Sequence, residues 1–205
     1  MKFHQLFEMP TFINKELPID DVPVEIMSVD TLDREYDLLS SIDVNGGKAV
    51  GAIKKNHKSA IIGRVVQRED GKKAIRLAAT LTFHETPNLG EVKGNVLQVD
   101  TIVAHDELRG AGFGYTLYKM LLNAGFILAS DNIQYIGGQQ LWRKIIRNAI
   151  HDGHHVRVLV DGKLYRDENG QVVVYDGKNI PDDVIWSENK KSVQHYNTLL
   201  VVSNN

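Results

Sequence analysis

Arg109-Gly110-Ala111-Gly112-Phe113-Gly114 is the stretch whose residue types and spacing point most directly to chemistry. Three glycines at alternating positions remove side chains where a backbone must bend sharply or touch a ligand. A strand-like run, Val96–Ala104, leads into it, and an amphipathic helical pattern, Tyr115–Ala124, follows at once. A helix that starts there presents unpaired backbone N–H groups and the positive end of its dipole. Strand, glycine loop and helix start together make an anion site suited to a phosphate. The Gly-Lys-Ser/Thr ending of a P-loop is missing. So is G-x-G-x-x-G, because Tyr115 stands three residues after Gly112 and no βαβ frame surrounds it. What remains is R-x-x-G-x-G directly after a strand.

Other residues invite sharper readings than their spacing supports. His151-Asp152-Gly153-His154-His155 gathers imidazoles and a carboxylate, but successive residues in a turn seldom converge on one ion. A helix exit stopped by Gly153 explains the segment better, and no metal site is expected. No Gly-x-Ser-x-Gly elbow exists for a serine hydrolase. Trp142 and Trp186 read as core or interface anchors. Arg143, Lys144 and Arg147 read as a solvated helix face, with a phosphate or partner contact as the alternative.

The elements that must position the loop follow from periodicity and turn signals. Residues 1–23 carry Pro10, Pro18 and Pro23 and read as an extended arm with one short strand, Lys2–Phe7. Val24–Ser41 reads as a strand and then a helix capped by Ser28 or Asp30, with Leu32, Tyr36 and Leu39 as its buried stripe. Lys48–Lys54 and Ser59–Glu69 read as strands around a polar turn. Asp70-Gly71 marks a hairpin between Ile61–Gln67 and Ala74–His84. Thr86–Gly94 reads as a polar loop. Phe126–Ala129 reads as a strand, and Gln139–Ile150 as a helix with Leu141, Trp142, Ile145, Ile146 and Ala149 on its apolar side. His155–Val160, Lys163–Arg166, Gln171–Tyr175 and Gln194–Val202 read as further strands, with a loop over Ile180–Asn189. The order is α+β or mixed α/β, in one domain.

Composition bounds the function. The 205 residues suit one decorated domain, and 42% hydrophobic with 24% charged residues is ordinary for a globular chain. A formal charge of −2 gives no reason to expect general nucleic-acid binding. With no cysteine there are no disulfides, thiolate zinc sites or cysteine nucleophile. The chain carries no apolar run of membrane-spanning length, and its start lacks the apolar core of a signal peptide. No membrane association and a cytoplasmic location are expected.

The R-x-x-G-x-G loop with its flanking strand, helix, strand and helix resembles the GNAT superfamily of N-acetyltransferases over about Val96 to Ala149. The resemblance implies a mixed, mostly antiparallel sheet flanked by helices, with acetyl-CoA as co-substrate. Residues 24–160 would form the acetyl-CoA-binding domain, preceded by the arm 1–23, with 161–205 a C-terminal β-rich extension. Arg109, Gly110, Ala111, Gly112, Phe113 and Gly114 would hold the pyrophosphate. Ile102 and Val103, on a strand that splays from its neighbour, would offer backbone groups to the pantetheine arm.

The acceptor would be an amine on a small molecule, peptide or protein, and a base must take its proton. His84, Glu85 and Asp100 are the titratable residues in that frame, with Glu85 the first choice and Asp100 the second. For each, a solvated carboxylate at a strand end is the competing explanation.

Two departures stand out. The arginine sits one residue later than usual, after His105-Asp106-Glu107-Leu108. Trp142 also stands where the family commonly has a tyrosine that protonates the departing thiolate; Tyr135 or Tyr118 would have to substitute. The segment SDNIQYIGGQQLWRKI has a looser resemblance to acetyltransferase-like proteins of tailed bacteriophages. Two expectations follow: an N-acetyltransferase, or a GNAT-derived interaction or structural protein that has lost turnover. In the second case a phage assembly partner, and the host cytoplasm or a virion, are implied. An exposed C-terminal strand would also offer a homodimer contact.

Overall fold

The computed structural model describes residues 26–44, 47–104, 112–131, 136–186 and 198–204. The expected arm and first strand, the residues 105–111 and Tyr135 lie outside them. Among the described residues ten strands form one open, mostly antiparallel sheet accompanied by four helices. The chain divides into two compact units, one holding residues up to Thr82 with Thr101–Met120, the other Phe83–Asp100 with Leu121–Asn205. No helix among the described residues is long and apolar enough to cross a membrane.

The first unit begins with β1 (Ile26–Ser28) and α1 (Val29–Glu35). Ser28 caps α1, its hydroxyl accepting from the Thr31 N–H, as its type and position imply. The helix does not run on to Ser41. Tyr36 turns extended and starts β2 (Tyr36–Val44), which pairs antiparallel with β3 (Gly47–Lys54). Leu32 and Tyr36 are buried as expected, but Leu39 falls where the ladder slips between Leu38 and Ser40 and is only half-buried. The i, i+4 spacing of Leu32 and Tyr36 imitates a helix across an α-to-β junction. β4 (Ser59–Gln67) and β5 (Lys73–Leu89) follow, joined at Asp70-Gly71 as read. Leu32, Tyr36, Val50, Ile61, Ile75 and Leu77 form this unit's core.

β5 does not stop at His84. Its ladder with β4 ends at Thr82, yet it continues to Leu89, so Pro87 sits on a stretch that β4 does not cover. The expected Thr86–Gly94 loop shrinks to a turn at Gly90-Glu91, and β6 runs over Val92–Ala104. After the glycine loop comes α2 (Phe113–Asn123), then β7 (Ile127–Ala129), α3 (Ile136–His151), β8 (His155–Val160) and β9 (Lys163–Leu164). α3 ends as the glycine implies: His154 N–H bonds Ala149 O, Gly153 N–H bonds Ile150 O, and Gly153 is left-handed. Gln171–Tyr175 is not a regular strand: Arg166 and Val172 form an isolated bridge, and the Val173 and Tyr175 N–H groups donate to Tyr165 O and Val156 O. Within the expected 180–189 loop a short helix, α4 (Asp182–Ile185), appears.

The last strand, β10 (Thr198–Ser203), is buried along its length and lies between β7 and β8, antiparallel to both. It therefore offers no free edge to a second copy, contrary to the expectation of an exposed C-terminal strand. Val92, Val96, Ala129, Leu159, Leu199 and Val201 form the second unit's core.

The Gly90-Glu91 turn is clamped to the β8–β9 hairpin. Glu91 N–H donates to Gly162 O at 2.8 Å, and Glu91 Oε2 accepts from Leu164 N–H at 2.9 Å and from Arg166 at 3.3 Å. Gly90 is left-handed, and a Cβ there would overlap Gly162 O. Gly90→Ala should therefore cost about 2–4 kcal/mol in chemical denaturation. Gly153→Ala, equally left-handed but with nothing near its Cβ, should cost only about 1–2 kcal/mol. Equal losses at the two sites would remove the steric role of Gly90.

The Leu164 N–H, and then Arg166, hold the Glu91 carboxyl below its ordinary pKa. A depressed carboxylate stabilises above its unfolded pKa, and that contribution is lost as pH falls through the folded one. Glu91→Gln should thus lower the melting midpoint at pH 7, the gap to the parent closing below about pH 4. A gap that persists at pH 2 would show the charge to be irrelevant.

Candidate functional site

The pairing of β6 with β7 is parallel and short, covering Val96–Ile127, Leu97–Leu128 and Gln98–Ala129. β6 runs on through Val99–Ala104 after β7 has ended. At the end of the shared ladder the polar side chains take over. Gln98, 8% exposed, donates from Nε2 to the Ser130 carbonyl at 3.3 Å. Ser130 is fully buried and turns to β10: its N–H donates to Leu200 O at 2.9 Å, and its Oγ accepts from Leu200 N–H at 3.0 Å.

From Gln98 the chain of bonds continues to β5. Gln98 Oε1 lies 3.1 Å from His84 Nε2, and His84 Nδ1 lies 2.9 Å from Asp100 Oδ1. Because Gln98 Nε2 is committed to a backbone carbonyl, Oε1 is the atom that meets the imidazole, and it only accepts. The Asp100 carboxylate also only accepts. Each His84 nitrogen thus faces an acceptor, and whichever one carries the ring proton donates to it. The pair itself is half-exposed, whereas its anchor, Gln98 and Ser130, is buried.

Asp100 is thereby a held group: one oxygen is fixed by His84, and the other has no partner among the described residues. Glu85 follows His84 directly in β5, and strand alternation places it on the opposite sheet face from the His84–Asp100 pair. The structure thus brings Asp100 and His84 together and leaves Glu85 apart, exposed. Gln98 and Ser130 were missed in the sequence. The signal was available only as two polar residues, Gln98 and Ser130, inside or just beyond otherwise apolar strands.

The glycine loop's described end shows two glycines with different duties. Gly112 is left-handed with φ +83°, a Cβ there would meet nothing within 4 Å among the described residues, and its carbonyl accepts from Thr116 N–H at 3.0 Å as α2 begins. It turns the backbone and leaves open space beside it. Gly114 instead lets the helix approach β6: a Cβ there would stand 3.1 Å from Ile102 Cδ1. Ile102 is half-buried by this contact, while Val103 is 56% exposed. Phe113 is buried, with the Arg64 guanidinium 5.5 Å from its ring centroid. Arg109, Gly110 and Ala111 lie outside the described residues.

Neither described aromatic near the expected acid position is placed to donate a proton. Trp142 is buried on α3. Tyr118 is fully buried on α2, and burial pushes its phenol far above the ordinary value. Among the described residues no three metal-ligating side chains converge.

Comparison with protein-family models, with curated proteins and with solved structures finds no match to this chain.

If the Ser130–Gln98 connection is one network, its parts should not be additive. Ser130→Ala strips the acceptor from the buried Leu200 N–H, and Gln98→Leu strips the donor from the Ser130 carbonyl; each should cost about 1–3 kcal/mol. The double variant should lose at least about 0.5 kcal/mol less than the sum, measured by urea denaturation. Strict additivity would separate the two bonds.

Proposed function

We propose that the chain is an acetyl-CoA-dependent N-acetyltransferase of GNAT type, acting on an amine. The observation that carries the reading is β6 itself. It leaves its parallel partner after three residue pairs and continues through Ile102 and Val103 toward a glycine turn and a helix start. A strand that loses its neighbour keeps unpaired N–H and C=O groups on that side, which is what an amide-bearing pantetheine arm needs. The helix start, with Gly112 clearing space beside it, suits the pyrophosphate.

In this reading acetyl transfer is direct. The neutral amine attacks the thioester carbonyl, backbone N–H groups polarise the carbonyl oxygen, and the thiolate leaves. Asp100, through the oxygen that His84 does not engage, accepts the amine proton directly or through one water. His84 fixes the carboxylate's position. Glu85, on the other face, serves no role in this arrangement.

A second reading is favoured by the aromatic residues. Trp142 and Tyr118 are both packed away, so neither offers a phenol at the surface to protonate the leaving thiolate. A protein of this build binds the cofactor and uses the fold for interaction or assembly, as in a phage component.

Calorimetry with acetyl-CoA and CoA tests the shared premise, and thiol release in the presence of polyamine, aminoglycoside and peptide amines tests turnover. Acetyl-CoA should bind at or below about 0.1 mM. Gly112→Ala adds a left-handed Cβ, costs about 1–2 kcal/mol of stability, and should weaken binding at least about tenfold. Asp100→Asn should leave binding unchanged while lowering turnover by about 10²–10⁴-fold. Binding without turnover selects the second reading, and no binding at millimolar acetyl-CoA removes both.

A further inference from the structure

α3 and the segment that follows β9 line a half-open cavity of about 290 Å³ within the second unit. Arg143, Ile146, Arg147 and Ile150 recur at helical spacing, so one stripe of α3 supplies one wall. Ile146, Tyr175 and Trp186 are each less than 5% exposed and give the cavity an apolar, aromatic lining. The facing loop is rigid without being a regular element. Asp176 Oδ1 accepts from the N–H groups of Lys178 and Asn179, both at 2.8 Å, and Asn179 Nδ2 donates to Val174 O at 2.9 Å. Tyr175 N–H donates to Val156 O at 2.7 Å and ties the loop to β8.

The charges at this cavity are of unequal standing. Arg143 is committed: it donates to both oxygens of Asp182, at 2.9 and 3.4 Å, and lies 4.6 Å from the Trp186 ring centroid. It braces the indole, whose Nε1–H has no acceptor among the described residues. Asp176 is spent on its own loop, and those two N–H bonds hold its carboxyl below the ordinary range. Arg147 and Lys178 are exposed, and neither has an ion pair or a side-chain hydrogen bond among the described residues. Burial, and then the charge of Asp182, push the Tyr175 phenol up, so at neutral pH it is a neutral donor. An aromatic lining beneath two uncommitted cations and a phenol donor is complementary to a molecule with a flat apolar body and an acid group.

We propose that this cavity is a binding site for a small aromatic acid, a single-ring carboxylate or phosphate monoester. Its ring packs on Ile146, Tyr175 and Trp186, and its acid group meets Arg147 and Lys178. Size sets the limit. About 290 Å³ is at the lower end of small-molecule pockets, enough for one ring and its acid but not for a nucleotide cofactor. The site is therefore separate from any acetyl-CoA site, and its test does not depend on acetyl transfer.

The full chain, labelled with ¹⁵N, is titrated with phenyl phosphate, benzoate, inorganic phosphate and benzyl alcohol, and amide shifts report both affinity and place. Phenyl phosphate or benzoate should bind with a Kd on the order of 1 mM or tighter, shifting amides of Tyr175–Lys178 and the α3 residues that face them. The tighter of the two identifies the acid group. Inorganic phosphate lacks the ring and benzyl alcohol lacks the charge, so each should bind at least about tenfold more weakly. Arg147→Ala with Lys178→Ala changes only exposed side chains and should weaken the best acid at least about tenfold at an unchanged melting temperature. Inorganic phosphate binding as well as phenyl phosphate would overturn the proposal, as would shifts confined elsewhere or an unaffected double variant. If the double variant melts early, Arg147→Gln alone serves, with a weakening of about threefold or more expected and an unchanged Kd again fatal.

Discussion

The parallel ladder between β6 and β7 lasts only to Gln98 and Ala129, and what ends it also organises the second unit. A carbonyl that leaves a sheet in the interior must find another donor, because burial without one costs about 1–3 kcal/mol. Ser130 O finds it in the Gln98 side chain, while Ser130 N–H and Oγ turn to Leu200 of β10. One glutamine thus exchanges a backbone ladder for a side-chain bond at the point where two strands part. β10 sits between β7 and β8, antiparallel to each, on the edge of β7 opposite β6. Gln98 has a second consequence. With its amide nitrogen committed inward, its oxygen is turned to His84, and through His84 to Asp100.

That inheritance gives the Asp100 carboxylate an orientation it would not have as an isolated strand residue. A carboxylate on an exposed strand samples several rotamers, and any ion pair it makes there is worth little. Here the imidazole is held on its other side by a buried amide, so the partner of Asp100 is itself pre-placed, and the cost of ordering is shared. In the proposed acetyltransferase, the proton acceptor of a half-exposed site would take its position from this sheet junction.

Much of this frame was legible because the local signals agree with the fold. Ser28 at a helix start, Asp70-Gly71 between alternating runs and Gly153 after an apolar helical stripe are each satisfied by short-range hydrogen bonds, and short-range chemistry is what a sequence displays. The failures share the opposite cause. Tyr36–Val44 is a strand because β3 is there to pair with it, and the i, i+4 spacing of Leu32 and Tyr36 imitates a helix only until that ladder is known. Thr86–Leu89, polar and containing proline, is extended through its membership of β5 beyond the reach of β4. The pairing of His84 with Asp100 and Gln98 spans 16 and 14 residues across a turn whose position the polar composition concealed. With the turn placed at Gly90-Glu91 rather than spread over Thr86–Gly94, the cross-strand register becomes readable. Glu85, read as the residue at the end of Ala74–His84, instead lies inside β5, where alternation puts it on the face opposite His84.

The glycines show the same lesson on a smaller scale, and they decide how the acetyltransferase reading should be held. In sequence, Gly112 and Gly114 are one motif with one purpose. In the fold only Gly112 combines a left-handed backbone with open space, whereas Gly114 is small because Ile102 stands against the helix. A motif of glycines is therefore not evidence of ligand contact at each position; packing alone would select one of these two. Trp142 is the complementary case. Its ring is packed into the core on α3, so this position contributes buried area and no phenol. In the proposed acetyltransferase, cofactor binding and turnover would rest on different residues of this fold. The first would depend on a backbone turn and a strand that outlasts its partner. The second would depend on Asp100 and the imidazole that holds it.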